Sequence, residues 1–192
     1  MIYIISALVV LLLASLYFNF YQSRTIKRYD ENESILIKKA YYNPVTELPN
    51  RSNIDIVINE QIARAHRHKK YFLLAVVKVI NFQEVKLRNE QRANEFMVEV
   101  GDRLLESIRD EDMLSHISEN GFLIVFNEYL ENKNSDILFN RISNACKEPF
   151  TDAKGSIKIE IKIGKSTYPQ DSEESEGLIN EATRAALNST NS

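Results

Sequence analysis

The sequence predicts an α+β fold, a sheet with antiparallel pairing flanked by helices, carried behind one N-terminal transmembrane helix. Three observations carry that prediction. Tyr71–Ile80 is a nearly continuous apolar run rich in aromatic and β-branched residues, the composition of a strand covered on both faces. Two strand-like runs, Met113–Ile117 and Phe122–Phe126, flank Ser118-Glu119-Asn120-Gly121, and Asn-Gly is a strong hairpin signal because both residues tolerate positive φ. Stretches with apolar residues at helical spacing separate these strands, and an antiparallel hairpin between helical crossovers argues against a doubly wound parallel sheet.

Taken in order, residues 1–22 read as the membrane segment. Ile2–Phe20 is almost wholly apolar and uncharged, close to the roughly 20 residues a spanning helix needs. No Lys or Arg precedes it and bulky aromatics close it, which suits an anchor better than a cleaved signal. Tyr17, Phe18, Phe20 and Tyr21 supply an interfacial belt, and Arg24, Lys27, Arg28, Lys38 and Lys39 follow on one side, so the domain is expected in the cytoplasm. Residues 23–40 read as a charged helical connector, either a solvated spacer or a short dimerising helix. The domain, residues 41–192, opens on the turn-rich Asn43–Arg51, whose two prolines forbid a continuous helix.

Ser52 is expected to cap a helix ending at His66-Arg67-His68-Lys69-Lys70, whose histidines share no helix face and so do not suggest a metal site. After the Tyr71–Ile80 strand one long amphipathic helix is expected, with Phe96, Met97, Val100, Leu104, Leu105 and Ile108 inward. The hairpin, a helix over Ser135–Lys147, a hairpin-like strand region over Ile157–Gly164 and a last helix over Glu176–Asn188 complete the order. The 192 residues leave room for one core beyond the membrane segment. The formal charge of −3 with interspersed signs gives no nucleic-acid footprint, and the single cysteine, Cys146, reads as a small core residue in a reducing compartment.

Several stretches together resemble the GGDEF domain of bacterial diguanylate cyclases. Asn43-Pro44-Val45-Thr46-Glu47-Leu48-Pro49-Asn50-Arg51 is similar to the family's D-x-L-T-G-L-P-N-R. Leu74–Phe82 falls on the strand that bears D-I-D-x-F, and Ile163–Asp171 resembles I-G-x-x-x-Y-P-x-D. The likeness covers Tyr42 to about Asn188. It implies a ferredoxin-like or palm-type sheet, a bacterial inner-membrane location and an ancestral activity that condenses two GTP into cyclic di-GMP.

The resemblance also implies what this chain has exchanged. The name-giving signature falls on Ser118-Glu119-Asn120-Gly121-Phe122, so Asn120 and Gly121 stand where the family has its acidic pair. Lys78 stands at a strand position where the family places a metal-binding carboxylate, and Ile80 where many members have a second Asp. Two divalent cations held there would neutralise the triphosphate and activate the attacking hydroxyl. The guanine-reading Asn aligns with Lys86, its companion Asp with Asn94 or Glu95, and a phosphate-binding Lys with Gln83; a C-terminal phosphate-contacting Lys is also replaced. No catalytic residue, metal or cofactor is therefore expected. Arg109-x-x-Asp112 sits five residues before the signature, where the family has its inhibitory cyclic di-GMP site, with Arg141 as an assisting arginine. Arg suits that role through its planar fork, and Asp can accept from guanine N–H groups. The expected function is a membrane-anchored, catalytically inactive domain acting as a cyclic di-GMP sensor or as a scaffold for a homodimer or other signalling proteins. The alternatives are an active but atypical cyclase using Mg²⁺ and a purely structural membrane protein.

Overall fold

The computed structural model describes residues 35–127 and 135–189, with positions 15, 17, 18 and 20–22. Most of the expected membrane segment and most of the connector lie outside the described residues, among which no helix is long and apolar enough to cross a membrane. The chain divides into two compact units, Met1–Ala40 and Tyr41–Ser192.

In the second unit the lead-in turn is held by Asn43, whose Oδ1 accepts from the amides of Val45 at 2.8 Å and Thr46 at 3.2 Å. Glu47 sits at φ 55°, the left-handed region, at the place where the resembling motif has glycine. Helix α1, Arg51–His68, is capped by Asn50, not by Ser52, because the Asn50 carboxamide accepts from the Asn53 amide at 3.1 Å. Lys69, also left-handed, closes it by donating its backbone N–H to the carbonyls of Ala65 and His66.

Strand β1, Phe72–Val79, is followed by two helices where one was expected: α2, Phe82–Arg88, and α3, Glu90–Ser107. Asn89 makes the break. Its backbone is extended at φ −164°, and its side chain caps α3 by accepting from the Arg92 amide at 2.8 Å. Leu105 points outward and Ile108 terminates the helix. Strands β2, Met113–Ser118, and β3, Gly121–Phe126, form the expected hairpin. Helix α4, Ser135–Ala145, leads to a small separate hairpin, β4, Phe150–Asp152, and β5, Gly155–Ile157. Strand β6, Ile161–Tyr168, and α5, Ser175–Asn188, end the domain. Ile157 and Gly164, expected in one hairpin-like region, thus belong to different sheets.

The main sheet has the order β2-β3-β1-β6, every pair antiparallel, so β1 lies inside. Alternation along β1 sorts its side chains onto two faces. Leu73, Ala75, Val77 and Val79 join Phe96, Met97, Val100, Leu104 and Ile142 in the core under α2, α3 and α4. Phe72, Leu74 and Val76 join Ile54, Ile58, Leu178, Ile179, Ala182 and Ala186 under α1 and α5. This double cover is why the strand reads as a nearly continuous apolar run. Gly164 on β6 is required by close approach: a Cβ there would lie 2.0 Å from the Ala186 amide nitrogen and 2.2 Å from the Ala182 carbonyl oxygen. Arg92 binds the small hairpin to α3 with a fork on Asp152, at 2.9 and 2.8 Å, and a third bond of 2.8 Å to the Gly155 carbonyl.

Candidate functional site

Continuing the alternation of β1 past Val76 brings Lys78 onto the α1/α5 face, in the last row of the sheet. The register pairs Lys78 with Gly121 on β3 and with Lys162 on β6. Beyond β3, the ladder slips between His116 and Ser118, so that Ser118 pairs with Gly121. This one-residue bulge puts Ser118 on the Lys78 face, two residues after His116 has pointed to the opposite one. The row therefore reads Lys162, Lys78, Gly121, Ser118 from one edge of the sheet to the other.

The bulge narrows the expected Ser118–Gly121 connection. The two connecting residues are Glu119 and Asn120, and neither they nor Gly121 lie at positive φ. What favours glycine at 121 is proximity to two side-chain ends. A Cβ there would lie 2.4 Å from Ser118 Oγ and 2.8 Å from Lys78 Nζ. The Lys78 ammonium fills that space, donating to Ser118 Oγ at 2.8 Å and, more weakly, to Asn120 Oδ1 at 3.4 Å. Asn120 is fixed in turn by its own bonds to Val79: its Nδ2 donates to the Val79 carbonyl at 3.0 Å and its carbonyl accepts from the Val79 amide at 2.9 Å. Burial pushes the Lys78 amine below its ordinary value.

Glu119, the one carboxylate of the turn, faces α2. Gln83 Nε2 donates to it at 2.9 Å and the Lys86 ammonium pairs with its other oxygen. The hydrogen bond from Lys86, then that from Gln83, holds Glu119 below the usual carboxylate range. On the opposite face His116 stacks on Phe122 with ring centroids 4.6 Å apart, lies 3.1 Å from Thr46 Oγ1 and donates its amide to the Pro49 carbonyl at 2.9 Å. Burial pushes its imidazole down, against a smaller opposing pull from the Glu119 and Ser118 backbone. His116 thereby joins the lead-in turn to the strand that feeds the signature turn.

Arg109 and Asp112 do come together, through the backbone. Asp112 accepts from the Arg109 amide at 3.1 Å and the Asn127 amide at 3.2 Å, and its own amide donates to the Arg109 carbonyl at 3.0 Å. The Arg109 guanidinium is directed outward and meets Glu111 at 3.5 Å. Arg141 joins neither: its Nε and Nη2 are buried on α4 without a hydrogen-bond partner among the described residues. Asn94 and Glu95 line an open groove of about 410 Å³ with Pro44, Val45, Val98 and Glu99, whereas Lys86 is turned to Glu119.

The divalent cations implied by the resemblance do not fit these residues. Hard cations take oxygen ligands, and a protein site for Mg²⁺ ordinarily supplies one or two free carboxylates. Here an ammonium occupies the centre and consumes the neutral acceptors Ser118 Oγ and Asn120 Oδ1, while Glu119 is engaged by Lys86 and Gln83. Among the described residues no three His, Cys, Asp or Glu gather. Sequence reading had singled out Lys78 and the signature but missed Lys162 and His116. Counting by twos from Gly164 would have placed Lys162 on the Lys78 face once β1 and β6 were known to pair, and no local signal marks His116.

Comparison with known proteins follows the same lines. The family model described as diguanylate cyclase, GGDEF domain, matches residues 40–192. The bifunctional diguanylate cyclase/cyclic di-GMP phosphodiesterase MucR of Pseudomonas aeruginosa is 22% identical over 151 residues, 78% of this chain and 22% of MucR. The chain spans about a fifth of the length of the curated relatives it matches. Among solved structures, the coiled coil and GGDEF domain of DgcB from Caulobacter crescentus, in complex with cyclic di-GMP, superposes with a TM-score of 0.73 at 14% identity, covering 86% of this chain and 88% of that one. The diguanylate cyclase SiaD from P. aeruginosa, in complex with its activator SiaC, gives 0.70 at 18% identity, covering 91% and 68%.

Proposed function

The chain belongs to the GGDEF, diguanylate cyclase family, and from that premise we propose that it works in cyclic di-GMP signalling as a binding domain that does not itself cyclise GTP. The observation that carries this reading is the Lys78 ammonium, seated between Ser118 and Asn120 at the position where the family's mechanism needs a cation-binding carboxylate. Asn120 and Gly121 add no charge to replace it, and Glu119 is held by Lys86. Phosphoryl chemistry without metal or general base has little to lower its barrier. Incubating the purified full chain with GTP and Mg²⁺ or Mn²⁺ tests the proposal. Accumulation of cyclic di-GMP above a no-protein control would refute it and favour the atypical-cyclase alternative.

Two forms of the binding role are distinguished by one titration. In the sensor form Arg109, exposed beside Asp112, takes a phosphate or guanine edge of cyclic di-GMP; among the described residues Asp112 accepts two backbone amides, and a carboxylate has lone pairs beyond those two for a ligand. DgcB, whose structure holds cyclic di-GMP, supplies a fold precedent. In the scaffold form the domain surface holds a copy of itself or another signalling protein. Calorimetry with cyclic di-GMP should give heat that Arg109→Ala abolishes; no heat, or heat indifferent to that change, sinks the sensor form. We further propose that residues 1–22 anchor the chain in the inner membrane with the domain in the cytoplasm, on the strength of the Ile2–Phe20 run and the basic residues after it. Release of the full chain from membranes by alkaline carbonate would contradict that.

A further inference from the structure

The lead-in turn is closed over a histidine. Tyr42 bridges to Pro49, the Asn50 amide donates to the Tyr41 carbonyl at 2.9 Å, and the His116 amide on β2 donates to the Pro49 carbonyl at 2.9 Å. The turn is thus a short strap along β2, an edge strand of the main sheet, fastened where the chain enters the domain. Beneath it His116 is 4% exposed, with its ring stacked on Phe122 and its Nδ1 3.1 Å from Thr46 Oγ1. The other ring nitrogen, Nε2, is buried and meets no hydrogen-bond partner among the described residues. A neutral imidazole needs a donor and an acceptor, whereas the protonated ring carries two N–H donors and a charge. The surroundings do not suit that charge. On β3 lies Phe122, behind it Gly101 of α3 with Leu48 packed against both, and the strap contributes Thr46 and Pro49 while its Glu47 is exposed. Lys78 adds repulsion, and Ser118 and Glu119 pull the other way through their backbone only. Of these covers the strap alone can leave, because β3 and α3 form the core. Glu47 at φ 55° already opposes its closure.

We infer that the lead-in turn is an acid-released strap: protonation of His116 opens the Tyr41–Asn50 segment away from β2 while the main sheet and its helices stay folded. Opening breaks the bond from the His116 amide to Pro49 and lets water accept from both ring N–H groups. The released ring takes a proton at the ordinary histidine value near 6.5, and the fastened ring only at lower pH, because burial holds its imidazole down. The strap is therefore fastened above about pH 6.5, and below that the ratio of released to fastened form grows by up to about tenfold per pH unit. The device joins two places of consequence. The strap begins at Tyr41, where the second compact unit begins, and its histidine stacks on Phe122, the last residue of the signature. It works alike whether the domain serves as sensor or as scaffold.

The test is hydrogen exchange of the full chain, read by mass spectrometry between about pH 7.5 and about pH 5, with each rate corrected for intrinsic chemical exchange. The amides of Asn43, Glu47, Asn50 and His116, all hydrogen-bonded in or to the strap, lose protection by about tenfold or more over that range. At the lower pH they exchange at least about tenfold faster than the amides of Phe72–Val79, because the opening is local. His116→Gln, which takes no proton but can still bond Thr46, keeps the strap protected throughout. Replacing both His66 and His68, the chain's other histidines, by Gln leaves the pH dependence in place. Should His116→Gln fail to fold, as circular dichroism would reveal, this double variant carries the test with His116 as its one histidine. Strap protection that does not change with pH overturns the inference, as does a pH dependence that survives in His116→Gln or vanishes in the double variant. Equal protection of strap and β1 at the lower pH overturns it too, since the whole domain would then be opening.

Discussion

Gly121 and Lys78 occupy one space, and this makes their energetic coupling predictable. In Gly121→Ala the new methyl would lie 2.4 Å from Ser118 Oγ, 2.8 Å from Lys78 Nζ and 3.2 Å from Lys78 Cδ. The lysine end is flexible and can move, but moving it breaks the 2.8 Å bond to Ser118 and leaves a half-buried ammonium with at most the weak contact to Asn120. A hydrogen bond involving a charged group contributes roughly 1.5–3 kcal/mol. Replacing Gly by Ala inside a strand returns about 0.5–1 kcal/mol. The single substitution should therefore destabilise by about 1–2 kcal/mol. In a Lys78→Met background no ammonium is displaced and only the Ser118 hydroxyl has to turn aside, so the same substitution should be close to neutral. A double-mutant cycle by urea denaturation of the full chain should give a coupling of about 1–2 kcal/mol, above the roughly 0.5 kcal/mol scatter of independent sites. Additivity within that scatter would show that the ammonium does not fill the space left by Gly121.

Glu47→Gly should raise stability by about 1 kcal/mol, read as a higher urea midpoint, because Glu47 is held at φ 55° where a Cβ is disfavoured. Gly164→Ala should cost about 3 kcal/mol in the same assay, since α5 must lift its backbone off the strand to admit a methyl group. His116 supplies a pH dependence of definite sign. Burial depresses its folded pKa below the ordinary value near 6.5, so the unfolded chain binds the proton first. The stability this confers is present above about pH 6.5 and is lost as pH falls toward the folded pKa, with a slope of up to about 1.4 kcal/mol per pH unit. The urea midpoint should fall between pH 7 and 5, and His116→Phe should flatten that fall.

Much of this architecture is legible in short stretches because its causes are local. The Phe72–Val79 strand declares itself by apolar residues at every position but Lys78, and the hairpin by two short strand-like runs around a polar turn. The errors have a common origin in contacts distant along the chain. Local propensity in Asn-Gly marks the hairpin, but the bulge at Ser118 leaves Glu119-Asn120 as the connecting pair and sets Gly121 against Lys78, 43 positions earlier. The α2/α3 break is marked only by Asn89, an unremarkable polar residue until its side chain is seen capping Arg92. Of the candidate site, the Lys78 substitution could be read from the family motif, but its partner Lys162 required the β1–β6 register. Arg141 follows from the resemblance alone, and no local pattern in the sequence says which way its side chain turns on α4.

The seat of α5 on Gly164 has one further consequence. Where two elements meet through side chains, small displacements are absorbed by rotamer changes. Here helix backbone rests on strand backbone, and there is nothing in between to re-pack. A notch of this kind works as a mechanical detent. Sliding α5 by one residue, about 1.5 Å along its axis, would move the strand out of the Ala182–Ala186 gap and onto a neighbouring turn. The helix can therefore pivot or lift as a rigid rod but cannot creep, and any displacement of its last turn reaches β6, and with it Lys162, which grips the Leu187 carbonyl, without being damped on the way.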